Sequence, residues 1–291
     1  MPTTLECRLL CASVSAYGVQ KDGSFTSQPN YDRAAGWVEA PTPFVGGTDN
    51  INACLVGTTA DGVVVAFRGT LPPSSPDRLE TVLDWLNNFD ADLVQAQSMP
   101  GRVHDGFRKA LDTLWAPLLA EVQRRRAAAP ESDTFVTGHS KGGAIADLAA
   151  MRLKLENDIQ TKVVTYAAPH PGDQDFAAAC NARIDVTRYE YADDIVPHVP
   201  PGLAFRRAFT GGPLERVVGG RLDLNYAPVG ALRYIRRDGA IVGDSPALES
   251  GRFLSLTRQV VGGGVGQIAK DHDSRCGGGY MSAACPSGVC S

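Results

Sequence analysis

TFVTGHSKGGAIADLAA, residues 134–150, decides the fold. A stretch of β-branched and aromatic residues runs directly into Gly138-His139-Ser140-Lys141-Gly142. Beyond it, Ala144, Leu148, Met151 and Leu155 recur at helical spacing. A G-x-S-x-G pentapeptide alone is common by chance, but one set between a strand and a helix is specific, and it reads as a nucleophile elbow. Glycines on both sides of Ser140 let the chain turn sharply enough to lift the hydroxyl above a sheet. The helix that follows aims its first backbone N–H groups, and the positive end of its dipole, at the same place.

Working outward, VVVAF at 63–67 is a short unbroken apolar run, the pattern of a strand buried on both faces of a parallel sheet. Residues 163–166 and 186–191 read as two further strands. Residues 232–242, around Asp238-Gly239, read as an antiparallel hairpin. Helical spacing appears at 3–17, at 79–93 (Leu79, Val82, Leu83, Leu86, Phe89, Leu93) and at 107–122 (Phe107, Leu111, Leu114, Leu118, Val122), where Pro117 is expected to kink or divide the helix. Gly, Pro, Asn and Asp dominate from 18 to 50, which therefore reads as mostly loop. Strands alternating with helices imply right-handed crossovers and an α/β fold with a mostly parallel central sheet and helices on both faces. The chain of 291 residues is expected to form one domain, ending in a Cys/Gly-rich tail from about 262.

Composition narrows the function classes. A net charge of −4 without long single-sign runs gives no basic face for nucleic acid. Arg124, Arg125 and Arg126 read as a solvated helix end. No apolar stretch approaches the roughly 20 residues of a membrane-spanning helix. The first residues, MPTTLECRLLCASVSAYGV, carry Glu6 and lack a basic start with an unbroken apolar run, so they do not read as a signal peptide. Seven cysteines, an odd number, suggest mostly reduced thiols and favour a cytoplasmic location, with a secreted mature form as the alternative. Cys276, Cys285 and Cys290 crowd into the tail, where a disulfide staple is plausible, and their spacing matches no zinc pattern.

A serine nucleophile needs a base, and the base needs an acid that fixes its tautomer. In a fold of this kind the order along the chain is serine, acid, histidine. Of the five histidines, His104 precedes the serine and His139 sits inside the elbow, where its ring is expected to point away from the hydroxyl. His170 comes too early to leave room for an acid on a later strand, and His198 lies only four residues beyond the best acid. His272, in AKDHDS, is favoured. Asp193 and Asp194 both stand at the end of the VTRYEY strand, where α/β sheets place their ligands, and position alone does not separate them. Asp271 and Asp273 read as loop residues facing solvent.

AFRGT (66–70), VHDGF (103–107), GHSKGGAIA (138–146), VVTYAAPHPGD (163–173) and DDIVPHVPP (193–201) together resemble the class 3 lipases, the family that includes the filamentous-fungal triacylglycerol lipases. The resemblance covers roughly residues 55–205 and implies an α/β-hydrolase fold. In that family the acid precedes a hydrophobic-Val-Pro segment, which selects Asp194 and leaves Asp193 second. The resemblance also implies an oxyanion hole formed by Thr70 and the backbone N–H of Lys141. A lid is implied over residues 71 to about 90, including Asp84 and Trp85. His170 stands where the family commonly has arginine and is read as structural. The C-terminal third departs from the pattern, because a Cys/Gly-rich insertion separates His272 from Tyr280.

These residues imply a serine carboxylic-ester hydrolase working through an acyl-enzyme, with acylglycerols as substrates, transient contact with a lipid interface, and no metal or organic cofactor. Short-chain, phospholipid or feruloyl-type esters are the alternative substrates. A fold that has lost its chemistry and only binds is the non-enzyme alternative.

Overall fold

The computed structural model describes residues 3–70, 92–200, 202, 225–261 and 265–291. The helical reading of 79–93 and the lid reading of 71–90 fall almost wholly outside the described residues. Leu93, the last member of that apolar series, is in a strand.

The chain opens with α1 (Leu5–Ser15), capped by the Thr4 hydroxyl, which accepts from the Cys7 amide. α2 (Pro29–Ala35) and the strands β1 (Thr42–Gly46), β2 (Asn52–Thr59) and β3 (Gly62–Phe67) follow. Then come β4 (Leu93–Gln95), β5 (Arg102–His104), α3 (Asp105–Asp112), α4 (Trp115–Ala128), β6 (Asp133–His139) and α5 (Lys141–Asn157). β7 (Lys162–Tyr166), β8 (Gly172–Asp173), α6 (Gln174–Asn181) and β9 (Asp185–Tyr191) carry the chain across the sheet. β10 (Tyr226–Ala227), β11 (Ala231–Ile235), β12 (Ile241–Val242), α7 (Pro246–Val261), α8 (Val265–Asp271) and α9 (Gly279–Ala284) complete it.

The 18–50 stretch is mostly loop, as expected, but it holds two short elements: α2 starts on Pro29 at its first position and stops at Gly36, whose φ of 76° is the left-handed conformation that ends helices. β1, with every residue only half-buried, is an edge strand too short and mixed to show a period. The long helix at 107–122 does divide, but at Thr113-Leu114. Pro117 lies in the first turn of α4, where a missing N–H costs nothing.

Eight strands form the main sheet in the order β1-β2-β3-β6-β7-β9-β11-β12, parallel from β3 through β11 and antiparallel at both edges. β11 and β12 make the expected hairpin. A second, antiparallel sheet runs β10-β8-β5-β4. β3 shows why its sequence is apolar throughout. Val63, Val65 and Phe67 enter the core layer beneath α3, α4, α5 and α6, while Val64 and Ala66 enter the layer beneath α1 and α9. α5 is buried almost all round, from Gly142 to Met151, which fixes its N-terminus at the carboxyl edge of the sheet.

The cysteine reading also changes. Cys7–Cys285 and Cys276–Cys290 are disulfides, and Cys11, Cys54 and Cys180 are buried thiols, so four of the seven are oxidised. The first bridge joins α1 to the segment after α9 across 278 residues, a pairing for which no local spacing gives a signal. It closes almost the whole chain. Removing it with Cys7→Ser/Cys285→Ser is expected to cost about 2–5 kcal/mol by relieving the constraint on the unfolded chain. The check is the urea midpoint of the variant against wild type, and an unchanged midpoint would contradict it. Arg125 departs from expectation as well: it is buried and bound to Glu39, Glu121, Thr42 and Thr58 rather than solvated. Among the described residues no helix is long and apolar enough to cross a membrane.

Candidate active site

Ser140 sits between the last residue of β6 and the first of α5, with φ 59° and ψ −136°. A non-glycine residue there is strained and persists only where its surroundings enforce it. The enforcement is visible in the flanking glycines. A Cβ on Gly138 would collide with the Gly142 carbonyl, and one on Gly142 would collide with the Phe67 carbonyl at the end of β3. The Ser140 amide donates to the Tyr166 carbonyl of β7 at 2.9 Å, and the Ser140 carbonyl accepts from the Gly143 amide at 2.8 Å. Strand, turn and helix thus compress into a bend that only these glycines permit.

His272 and Asp194 meet Ser140 from elsewhere in the chain. His272 Nε2 lies 3.0 Å from Ser140 Oγ, and its Nδ1 lies 3.1 and 3.0 Å from Asp194 Oδ1 and Oδ2. A carboxylate only accepts, so Nδ1 carries the proton and Nε2 presents a lone pair to the serine hydroxyl. Asp194 is 2% exposed and Ser140 1%, which shields the pair from competing water. Asp194 Oδ1 also accepts from the Val196 amide at 2.9 Å, and Oδ2 accepts from the Tyr280 hydroxyl at 2.7 Å.

Three side chains, Tyr280, His139 and Tyr17, support this arrangement through contacts that the sequence does not disclose. Tyr280 is fully buried, and its hydroxyl accepts from the Tyr191 amide at 3.0 Å while donating to Asp194. A buried tyrosine hydroxyl requires partners, but which ones is a tertiary fact. The insertion between His272 and Tyr280 leaves both residues on Asp194. His139 indeed turns away from the hydroxyl, and its Nε2–H donates to the His272 carbonyl at 2.8 Å. Burial holds its pKa down at about 3, so the ring is neutral and its Nδ1 accepts from the Tyr17 hydroxyl at 3.0 Å. The elbow histidine therefore holds the backbone of His272 without placing a charge beside it.

Lys141 opens α5, where a backbone amide has no intrahelical acceptor. Its side chain turns away to donate to Asn52 Oδ1 at 2.8 Å. Thr70 is half-buried and follows Gly69, where a Cβ would collide with the Tyr17 hydroxyl and the His139 carbonyl, so the Gly69 backbone lies against the elbow. His170 is buried, and its Nδ1–H donates to the Pro200 carbonyl at 2.7 Å, in keeping with a structural role. The Asp193 carboxylate is paired with Arg237. Asp271 is not a solvated loop residue: it is 1% exposed and paired with Arg237.

Against known proteins, the family model "Lipase (class 3)" matches residues 64–203. The secreted mono- and diacylglycerol lipase 1 of Fusarium solani is 31% identical over 166 residues, covering 56% of this chain and 46% of its own length. A lipase of Rhizopus oryzae is 36% identical over 105 residues, covering 34% of this chain and 27% of its own. The chain thus spans less than half the length of these relatives. Among solved structures, the lipase of Rhizopus microsporus var. chinensis superposes with a TM-score of 0.62 at 21% identity, over 86% of this chain and 82% of that one. A triacylglycerol lipase described as having a serine protease triad at its catalytic centre superposes with a TM-score of 0.60 at 20% identity, over 82% of each chain. The shared fold is the α/β-hydrolase fold. The family match spans β3 to the turn after β9 that carries Asp194, so the stretch that builds the elbow and its sheet is similar to the class 3 lipases.

Proposed function

We propose that this protein is a serine carboxylic-ester hydrolase acting on acylglycerols through an acyl-enzyme, with Ser140 as nucleophile, His272 as general base and then acid, and Asp194 holding the imidazole. The observation that carries the reading is the continuous relay from Ser140 Oγ through His272 to Asp194, with contacts of about 3 Å at each step. The hydroxyl attacks the ester carbonyl as His272 Nε2 takes its proton. The tetrahedral oxyanion is met by the Lys141 amide at the helix N-terminus and by Thr70, a pair in which losing one donor costs about 10²- to 10³-fold in turnover. Collapse expels the alcohol, protonated by His272, and water attacking the acyl-enzyme by the same route releases the acid.

Acylglycerols are preferred because relatives are named mono- and diacylglycerol lipases. Those relatives are also named secreted, and two disulfides suit an oxidising compartment, so we place this protein outside the cytoplasm rather than within it.

The test is a fluorophosphonate probe, with the labelled peptide mapped by mass spectrometry. Labelling at Ser140, slowed greatly by His272→Ala, is expected. No labelling of folded protein would leave the fold as a binding module. Across a p-nitrophenyl ester series, turnover should rise with acyl length and rise again once monoacylglycerol or diacylglycerol is presented as an emulsion. Fastest turnover on acetate and butyrate, with no response to emulsions, would instead make it a short-chain esterase.

A further inference from the structure

The residues immediately before the acid and the base are themselves joined. Asp193 precedes Asp194, Asp271 precedes His272, and both are buried, at 4% and 1% exposure. Their carboxylates converge on one guanidinium, that of Arg237 on the turn between β11 and β12. Arg237 Nη2 donates to Asp193 Oδ2 at 2.7 Å and to Asp271 Oδ2 at 2.6 Å, and Nη1 donates to Asp271 Oδ1 at 3.0 Å. The Asp193 amide donates to Asp271 Oδ2 at 3.1 Å, and Gln267 donates to Asp271 Oδ1 at 2.8 Å.

We propose that Arg237 is a positioning residue for the relay, a clamp that ties the turn carrying Asp194 to the helix end carrying His272. The proposal rests on the ester-hydrolase reading above. Asp194 and His272 are 78 residues apart, one on the turn after β9 and the other just beyond α8, and neither element supplies the other with a strand ladder. The forked guanidinium does so instead, gripping Asp271 with two nitrogens and Asp193 with one of them. Without it, two buried carboxylates that now share a nitrogen would face each other unneutralised. They would relax by separating the two segments or by protonating Asp271, whose carboxyl burial already pushes above its ordinary range while Arg237 draws it back. Either response moves the imidazole relative to Asp194, and a shift of about 1 Å in a reacting group can cost about 10²-fold.

The Arg237 side chain is 43% exposed, so shortening it opens no core cavity. Arg237→Met is expected to lower kcat per titrated active site by about 10- to 100-fold, the scale seen when a supporting hydrogen bond behind a site is lost. KM should stay within about two-fold, because no substrate contact is removed. Arg237→Lys, which keeps the charge but loses the fork, should recover activity to within about five-fold of wild type. The far-downfield proton resonance of the His272–Asp194 hydrogen bond should weaken or move in Arg237→Met and return in Arg237→Lys. Unchanged kcat per titrated site together with an unchanged resonance in Arg237→Met would overturn the clamp. A wild type inert to every ester and to fluorophosphonate, but whose resonance still responds to Arg237→Met, would sink the hydrolase reading and leave the clamp standing.

Discussion

Ser140→Ala is expected to lower ester turnover by about 10⁵- to 10⁶-fold, the scale on which a nucleophile's loss disables a serine triad. The hydroxyl lies 3.0 Å from His272 Nε2, and without it the base has no proton to take and no bond can form to the acyl carbon. What remains is catalysis by the oxyanion donors acting on a water molecule, about 10³- to 10⁴-fold over solution. The fold should survive. Alanine keeps the strained backbone that Gly138 and Gly142 allow, and the deleted oxygen is small. The measurement is turnover of p-nitrophenyl butyrate beside the thermal midpoint and fluorophosphonate labelling. Labelling should vanish while the midpoint holds within a few degrees, about 1 kcal/mol for a chain of this size. Wild-type turnover in the variant would mean that another group is the nucleophile and that the elbow is only a turn.

The difference between what the sequence discloses and what it conceals follows the distance over which each feature is determined. The elbow is local: strand, glycines, serine and helix lie within 25 consecutive residues, and each requirement leaves its own mark. Asp194 is nearly local, since the end of a strand is recognisable, though choosing it over Asp193 needed the family pattern. His272 emerged by elimination among five histidines, an argument that says nothing of its geometry. The features that escaped are long-range. Cys7 meets Cys285 only because the last helix returns to the first, and Tyr280 serves Asp194 only because α9 packs against β9. Asp271 was misread for the same cause: beside His272 in the sequence it looks like a polar loop residue, and its arginine arrives from a hairpin 34 residues away. The edge strand β1 and the short helix α2 escaped because a half-exposed segment of five to seven residues shows too little periodicity to outweigh its Gly and Pro content.

Asp194→Asn should lower kcat by roughly 10⁴-fold, and the hydrogen bonds around the carboxylate explain why so small a change costs so much. Asp194 Oδ1 accepts from the Val196 amide, which can only donate, so the oxygen of an asparagine must occupy that position. The amide nitrogen then replaces Oδ2, 3.0 Å from His272 Nδ1. Tyr280 tolerates the exchange, because its hydroxyl can rotate from donating to accepting. His272 Nδ1 then lies 3.0 Å from the new N–H and 3.1 Å from the remaining oxygen, and repulsion between two N–H groups favours the tautomer with the proton on Nε2. In that tautomer the ring presents Ser140 with a donor where it needs a lone pair. Fold and substrate pocket should be untouched, giving a kcat effect with little change in KM and a fluorophosphonate reaction slowed by a similar factor. Asp193→Asn is the discriminating control. It makes the same chemical change one residue earlier, but among the described residues that carboxylate is bonded to Arg237 and Gln259, and the Nδ1 partner stays intact. Its loss should stay within about 100-fold, on the scale of the Arg237 clamp. If Asp193→Asn instead showed the 10⁴-fold loss and Asp194→Asn were nearly normal, the acid would be Asp193, and the relay described here would have to be redrawn around the other carboxylate.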